Sequence, residues 1–135
     1  MPHKSGRLKK YSGKKIVVAD ESAATRKLVA TLFGEAGIQV IEAGDGKEAL
    51  CRIAENNPDL VLMEIHMPIV DGIRASKIIK NSPIHKDSKI ILMSSDYQTL
   101  SKAGKEPLVI DEMLRKPFAM SELINSLENA LRPNA

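Results

Sequence analysis

From Lys15 onward, short apolar runs alternate with longer stretches in which apolar residues recur at helical spacing, the pattern of a parallel sheet covered by helices on both faces. Ile16-Val17-Val18 predicts a first strand. Leu28, Val29, Leu32, Phe33 and Ala36 predict a helix that starts after Ser22 and stops at Gly37. Ile38 to Ile41 predicts a second strand and Gly44-Asp45-Gly46 a turn. Ala49, Leu50, Ile53 and Ala54 then form one face of a second helix, closed by Asn56-Asn57-Pro58. Leu60 to Met63 is continuously apolar, as in a strand buried on both faces, and so is the stretch from Lys89 to Met93. Between them, Ile73 to Lys80 predicts a third helix ended by Asn81-Ser82-Pro83.

The segment from Tyr97 to Met113 is the least regular, because Gly104 and Pro107 interrupt a helical pattern. Leu108-Val109-Ile110 suits either a loop or the last strand. Glu112 to Arg115 predicts the fifth strand, and Leu123, Ile124, Leu127 and Leu131 predict a final helix that frays over residues 132–135. Five βα units fill the chain, with no internal repeat and no linker to an output domain.

The chain has 135 residues, the size of one core, and its 43% hydrophobic content excludes a chain too polar to fold. Its formal charge of +3 is misleading. Residues 1–15 hold Lys4, Arg7, Lys9, Lys10, Lys14 and Lys15 and no acid, so the remaining 14 basic and 17 acidic side chains leave the rest at −3. The expected organisation is a basic, disordered leader over 1–14 followed by one domain over 15–132. A basic nucleic-acid-binding face is not expected on that domain.

Cys51 is the single cysteine, which excludes an intramolecular disulfide and suits a reducing compartment; it is expected as a small buried hydrophobe on helix two. No apolar run is long enough for a signal peptide or a membrane span, so a cytoplasmic location is expected. His3, His66 and His85 lack metal-site spacing, and the six Met residues read as core and loop fillers.

In an open parallel sheet, ligands bind beyond the carboxyl ends of the strands, near the point where strand order reverses. Polar residues gather there: Asp20 and Glu21 after strand one, Glu64 ending strand three, Ser94 and Ser95 ending strand four, and Lys116-Pro117 after strand five. The fragments KIVVADES, NPDLVLMEIHMPIVDG, KIILMSSD and MLRKPF carry them. They are spaced by 45 residues from Ala19 to Glu64, 30 to Ser94 and 22 to Lys116.

With these motifs in this order, the stretch from about Lys15 to Leu131 resembles the response-regulator receiver family. The resemblance implies a flavodoxin-like (βα)5 three-layer sandwich, a five-stranded parallel sheet of order 2-1-3-4-5. It also implies a switch in which an acidic pair after strand one holds Mg²⁺, an aspartate ending strand three takes phosphate from a histidine kinase, and a hydroxyl and a lysine bind that phosphate. Carried onto this chain, the phosphoacceptor position is Glu64, the phosphate pocket is Ser94, Lys116 and Pro117, and the metal ligands are Asp20, Glu64 and the His66 main-chain carbonyl. Met113 takes the position where the family often has an aromatic switch residue.

The chain departs from the family at Glu64, where an aspartate is expected, at Ala19, where the first acid of the pair is expected, and at Met113. One extra methylene moves the Glu64 carboxylate by roughly 1 Å, a shift that costs on the order of 10²-fold in a positioned reaction. Losing a supporting carboxylate at Ala19 costs another ~10 to 100-fold in metal affinity. The expected protein is therefore a non-enzymatic receiver of two-component signalling, a monomer or weak dimer that docks to a histidine kinase or other signalling partner without ordinary phosphorylation. In it Glu64 extends toward Lys116 and Ser94. The alternative is a conventional Mg²⁺-dependent phosphorelay receiver with a weakened site. A flavin protein of similar fold is disfavoured by the absence of Trp and of a Ser/Thr-rich phosphate loop.

Overall fold

The computed structural model describes residues 4–105 and 110–133. A parallel five-stranded sheet has the order β2-β1-β3-β4-β5. Its strands are β1 (Lys15–Ala19), β2 (Gln39–Ala43), β3 (Leu60–Glu64), β4 (Lys89–Ser94) and β5 (Glu112–Arg115). The helices are α1 (Ala23–Glu35), α2 (Gly46–Asn56), α3 (Gly72–Lys80), α4 (Tyr97–Lys105) and α5 (Met120–Leu131). Order and class agree with the sequence reading.

Alternation along the strands divides the core into two layers. Ile16, Val18, Leu60, Leu62, Ile91 and Met93 face α1 and α5, where Phe33, Leu123 and Leu127 meet them. Val17, Ala19, Val61, Met63, Ile90 and Leu92 face the other side, closed by Ala49, Ile53, Ala75, Ile79 and Leu100. Every β3 residue is buried, which explains its continuous apolar run.

The helix starts are set by short polar side chains that accept otherwise orphan N–H groups. Ser22 accepts from Thr25, Asp45 from Glu48, Asp71 from Arg74 and Asp96 from Gln98. Gly37, at φ +83°, lets the chain leave α1 for β2.

Several expectations are corrected. Instead of a disordered arm, Lys4–Tyr11 forms a 3-10 helix whose Leu8 is fully buried against α1 and α5. Its Arg7 binds Glu128 and, at 2.8 Å, Asn125. One leucine supplies the apolar anchor while the lysines around it stay in water. Cys51 is exposed, because the buried stripe of α2 runs through Ala49 and Ile53, and Ala54 is exposed with it. Leu28 is likewise on the outer side of α1. Gly104 does not interrupt α4, which continues to Lys105. Pro107, Leu108 and Val109 lie outside the described residues; Ile110 precedes β5 and packs against the α2–α3–α4 layer.

Candidate functional site

The parallel register aligns the strand ends: Ala19 pairs with Met63, Glu64 with Met93, and Ser94 with Arg115. Asp20, Glu64 and Lys116 therefore arrive at one rim, where β1 and β3 adjoin and their connections leave in opposite directions. Asp20 and Glu64 are buried, although both are acids. A charge out of water needs a partner. Lys116 supplies it: its ammonium bonds Asp20 Oδ2 and lies 3.0 Å from Glu64 Oε1.

The two remaining carboxylate oxygens are also engaged. Asp20 Oδ1 accepts the Ser22 N–H at 2.9 Å, and Glu64 Oε2 accepts the His66 N–H at 3.1 Å. Burial disfavours the Lys116 ammonium, but its hydrogen bonds to Asp20 and Glu64 and their charges outweigh this, so its pKa is raised.

Local packing explains how the side chains are aimed. The Arg26 guanidinium binds the Asp20 carbonyl at 2.7 Å and the Glu42 carboxylate at 3.1 Å, which holds the β1–α1 turn. A Cβ on Gly72 would sit 2.5 Å from the Glu64 carbonyl, so only glycine lets α3 begin directly behind the end of β3.

Ser94, expected to point at the cluster, is fully buried, but its Oγ accepts the Asp96 N–H at 3.0 Å. Its contribution is through the main chain, since its carbonyl accepts the Lys116 N–H at 2.9 Å. Pro117 follows Lys116 through a cis peptide and lines a shallow cleft with Thr25, Leu28 and Phe118. Met113 is exposed on the outer surface of β5, its methyl lying over Gly104 of α4. His66 enters the cluster by its N–H, and its ring reaches Thr99 Oγ1 at 3.2 Å. Sequence reading missed Arg26, Thr99 and Asp96, whose roles arise from contacts between separate elements and have no local signal.

Among the described residues, no group of three or more His, Cys, Asp or Glu side chains is placed to hold a metal ion. Receiver domains generally bind Mg²⁺ at the phosphorylation site. The donors here do not fit it as they stand, because position 19 is alanine and all four oxygens of the two carboxylates already accept hydrogen bonds, two of them from a cation.

A five-stranded doubly wound domain with an acid–lysine cluster at its carboxyl rim defines a class of signalling domain, and this chain belongs to it: the response regulator receiver domain family, whose model matches residues 16–128. It is a receiver of two-component signalling. Among its relatives, Protein PilG of Pseudomonas aeruginosa is 34% identical over 116 residues, covering 86% of each chain. Chemotaxis protein CheY of Bacillus subtilis is 30% identical over 125 residues, 87% of this chain and 97% of that one. The crystal structure of Vibrio cholerae chemotaxis protein CheY4 superposes with a TM-score of 0.79 at 25% identity, covering 87% of this chain and 98% of that one. Other relatives are longer, and the chain spans 17% of one and 57% of another.

Proposed function

We propose that this receiver is a protein-interaction module that works without aspartyl phosphorylation, with Glu64 at the phosphoacceptor position. The observation that carries the reading is the Lys116 ammonium lodged between Asp20 and Glu64. In this reading Lys116 is the cation of the phosphate pocket, and it is already neutralised by the chain's own carboxylates. An incoming phosphoryl group would have to displace an internal partner without the metal charge that lowers its repulsion from a carboxylate. Glu64 is an incomplete substitute for a phosphate, with about −1 charge against roughly −1.5 to −2.

Receiver domains act by docking to histidine kinases or other signalling proteins, and this chain's partner belongs to that group. No covalent chemistry is required of it. An exposed Cys51 thiol suits the reducing cytoplasm.

The test is incubation with acetyl phosphate and Mg²⁺, read by intact mass. The parent chain stays unmodified, and the double variant Ala19→Asp, Glu64→Asp acquires a phosphoryl adduct that depends on Mg²⁺. A phosphoryl adduct on Glu64 of the parent would overturn the reading.

A further inference from the structure

The polar contacts at the carboxyl rim close into a circuit. Glu64 Oε2 accepts the His66 N–H at 3.1 Å, and the His66 imidazole meets Thr99 Oγ1 at 3.2 Å. The Thr99 hydroxyl reaches Asp96 Oδ2 at 2.7 Å, and the Asp96 N–H reaches Ser94 Oγ at 3.0 Å. The Ser94 carbonyl accepts the Lys116 N–H at 2.9 Å, and the Lys116 ammonium returns to Glu64 Oε1 at 3.0 Å. The ends of β3, β4 and β5 are thereby joined to the first turn of α4.

The direction of each link follows from the chemistry of its members. The Thr99 hydroxyl bond is foremost among the causes that hold the Asp96 carboxyl below its ordinary range, so at neutral pH this carboxylate is ionised and can only accept. Thr99 therefore gives Asp96 its one hydroxyl proton, and toward the imidazole its oxygen has only a lone pair to offer. His66 Nε2 must carry hydrogen. One residue thus donates twice, by its ring to α4 and by its main chain to Glu64. Among the described residues, no other hydrogen bond or ion pair joins the loop over 65–71 to α4.

The outer links of the circuit are the ones that can open. Glu64 and Ser94 are buried, whereas His66 and Asp96 are exposed and Thr99 is half-buried, so water competes for the bonds that reach α4. The loop that carries His66 is also held against its own preference. Ile69, three residues on, sits at φ +73° with an exposed side chain, a strained conformation that persists only while the loop is tethered.

We propose that this circuit is a conformational latch in which His66 is the positioning residue, tying the Glu64–Lys116 pair to the first turn of α4. A contact that moves α4 breaks the Thr99–His66 bond and loosens the backbone N–H that holds Glu64. A contact that draws the Lys116 ammonium away from Glu64 loosens α4 by the reverse route, and linkage makes the two effects equal in free energy. The inference rests on the reading of this chain as an interaction module, and it gives that module a path between α4 and the cluster that needs no phosphoryl group.

The test is NMR on the full chain with no phosphodonor present. Long-range ¹⁵N spectra of the parent should place hydrogen on His66 Nε2. Thr99→Val keeps the side-chain shape and drops the hydroxyl; it should shift the Glu64 carboxylate and Lys116 ammonium signals, although Thr99 bonds to neither. The His66 amide should then exchange with solvent about three- to tenfold faster. His66→Leu should shift the same signals in the same direction. His66→Gln, whose side-chain amide can donate to Thr99, should return them to the parent positions. The double variant His66→Leu, Thr99→Val should shift them no further than either single change, since both cut one link. Unmoved Glu64 and Lys116 signals in Thr99→Val, additive shifts in the double variant, a His66→Gln chain that behaves like His66→Leu, or hydrogen on Nδ1 alone would each overturn the latch. A parent that forms a phosphoryl adduct yet shows these shifts would sink phosphorylation independence and leave the latch standing.

Discussion

Ile69, in the loop between β3 and α3, holds a left-handed backbone conformation at φ +73° with its side chain 69% exposed. A β-branched residue meets its own backbone there, at a cost of about 1–2 kcal/mol, and this one recovers little by burial. Ile69→Gly relieves the clash, offset in part by the greater freedom glycine gives the unfolded chain. The expected outcome is a net gain of about 1 kcal/mol, read as a higher urea midpoint at unchanged slope. A lower midpoint would mean that the isoleucine makes contacts outweighing the strain. Nothing in the local MPIVDG run announces this conformation, because the loop is shaped by its two fixed ends, Glu64 bound to Lys116 and Asp71 capping α3.

Among the elements, the 3-10 helix Lys4–Tyr11 departs furthest from its sequence pattern. Its Leu8 belongs to the same core layer as Phe33, Leu123 and Leu127. Leu8→Ala should cost about 2–5 kcal/mol in chemical denaturation, the range for a fully buried leucine. Arg7→Ala should cost under about 1 kcal/mol, since that ion pair is solvated. Equal stability of the Leu8→Ala chain and the parent would show that the segment is not docked. The five βα units were legible because each repeats its burial signal several times over. A lone leucine among lysines has no such redundancy, and its burial depends on whether α1 and α5 leave room for it.

For the molecule as a whole, the Lys116 ammonium reaches from the end of β5 to those of β1 and β3 and so ties the rim across the sheet. Lys116→Met leaves two buried carboxylates without their cation and should destabilise the fold by about 2–3 kcal/mol, somewhat less than for a fully buried pair because the lysine retains some exposure. The pH dependence follows from the raised pKa of Lys116. A group that binds its proton more tightly when folded contributes full stability below its unfolded value, near 10.5, and loses it as pH rises through the higher folded value. The stability gap between parent and Lys116→Met should therefore hold from neutral pH to about 10.5 and narrow above it in thermal melts. Narrowing that begins near pH 8 would contradict the ion cluster.

By itself the sequence determined the class and the gathering of Asp20, Glu64 and Lys116 at the carboxyl ends of the strands, because burying each apolar run in a parallel sheet leaves few ways to place the strand ends, while the strand order followed from the resemblance to receivers. Tertiary structure alone decided that the Ser94 hydroxyl accepts from Asp96, that Cys51 faces outward, that Leu8 closes the core, and that His66 holds Glu64 by its N–H while its ring reaches Thr99. Those outcomes turn on which of several competing partners comes within reach of a side chain. Reach is a property of packed elements, to which neighbours in the chain contribute almost nothing.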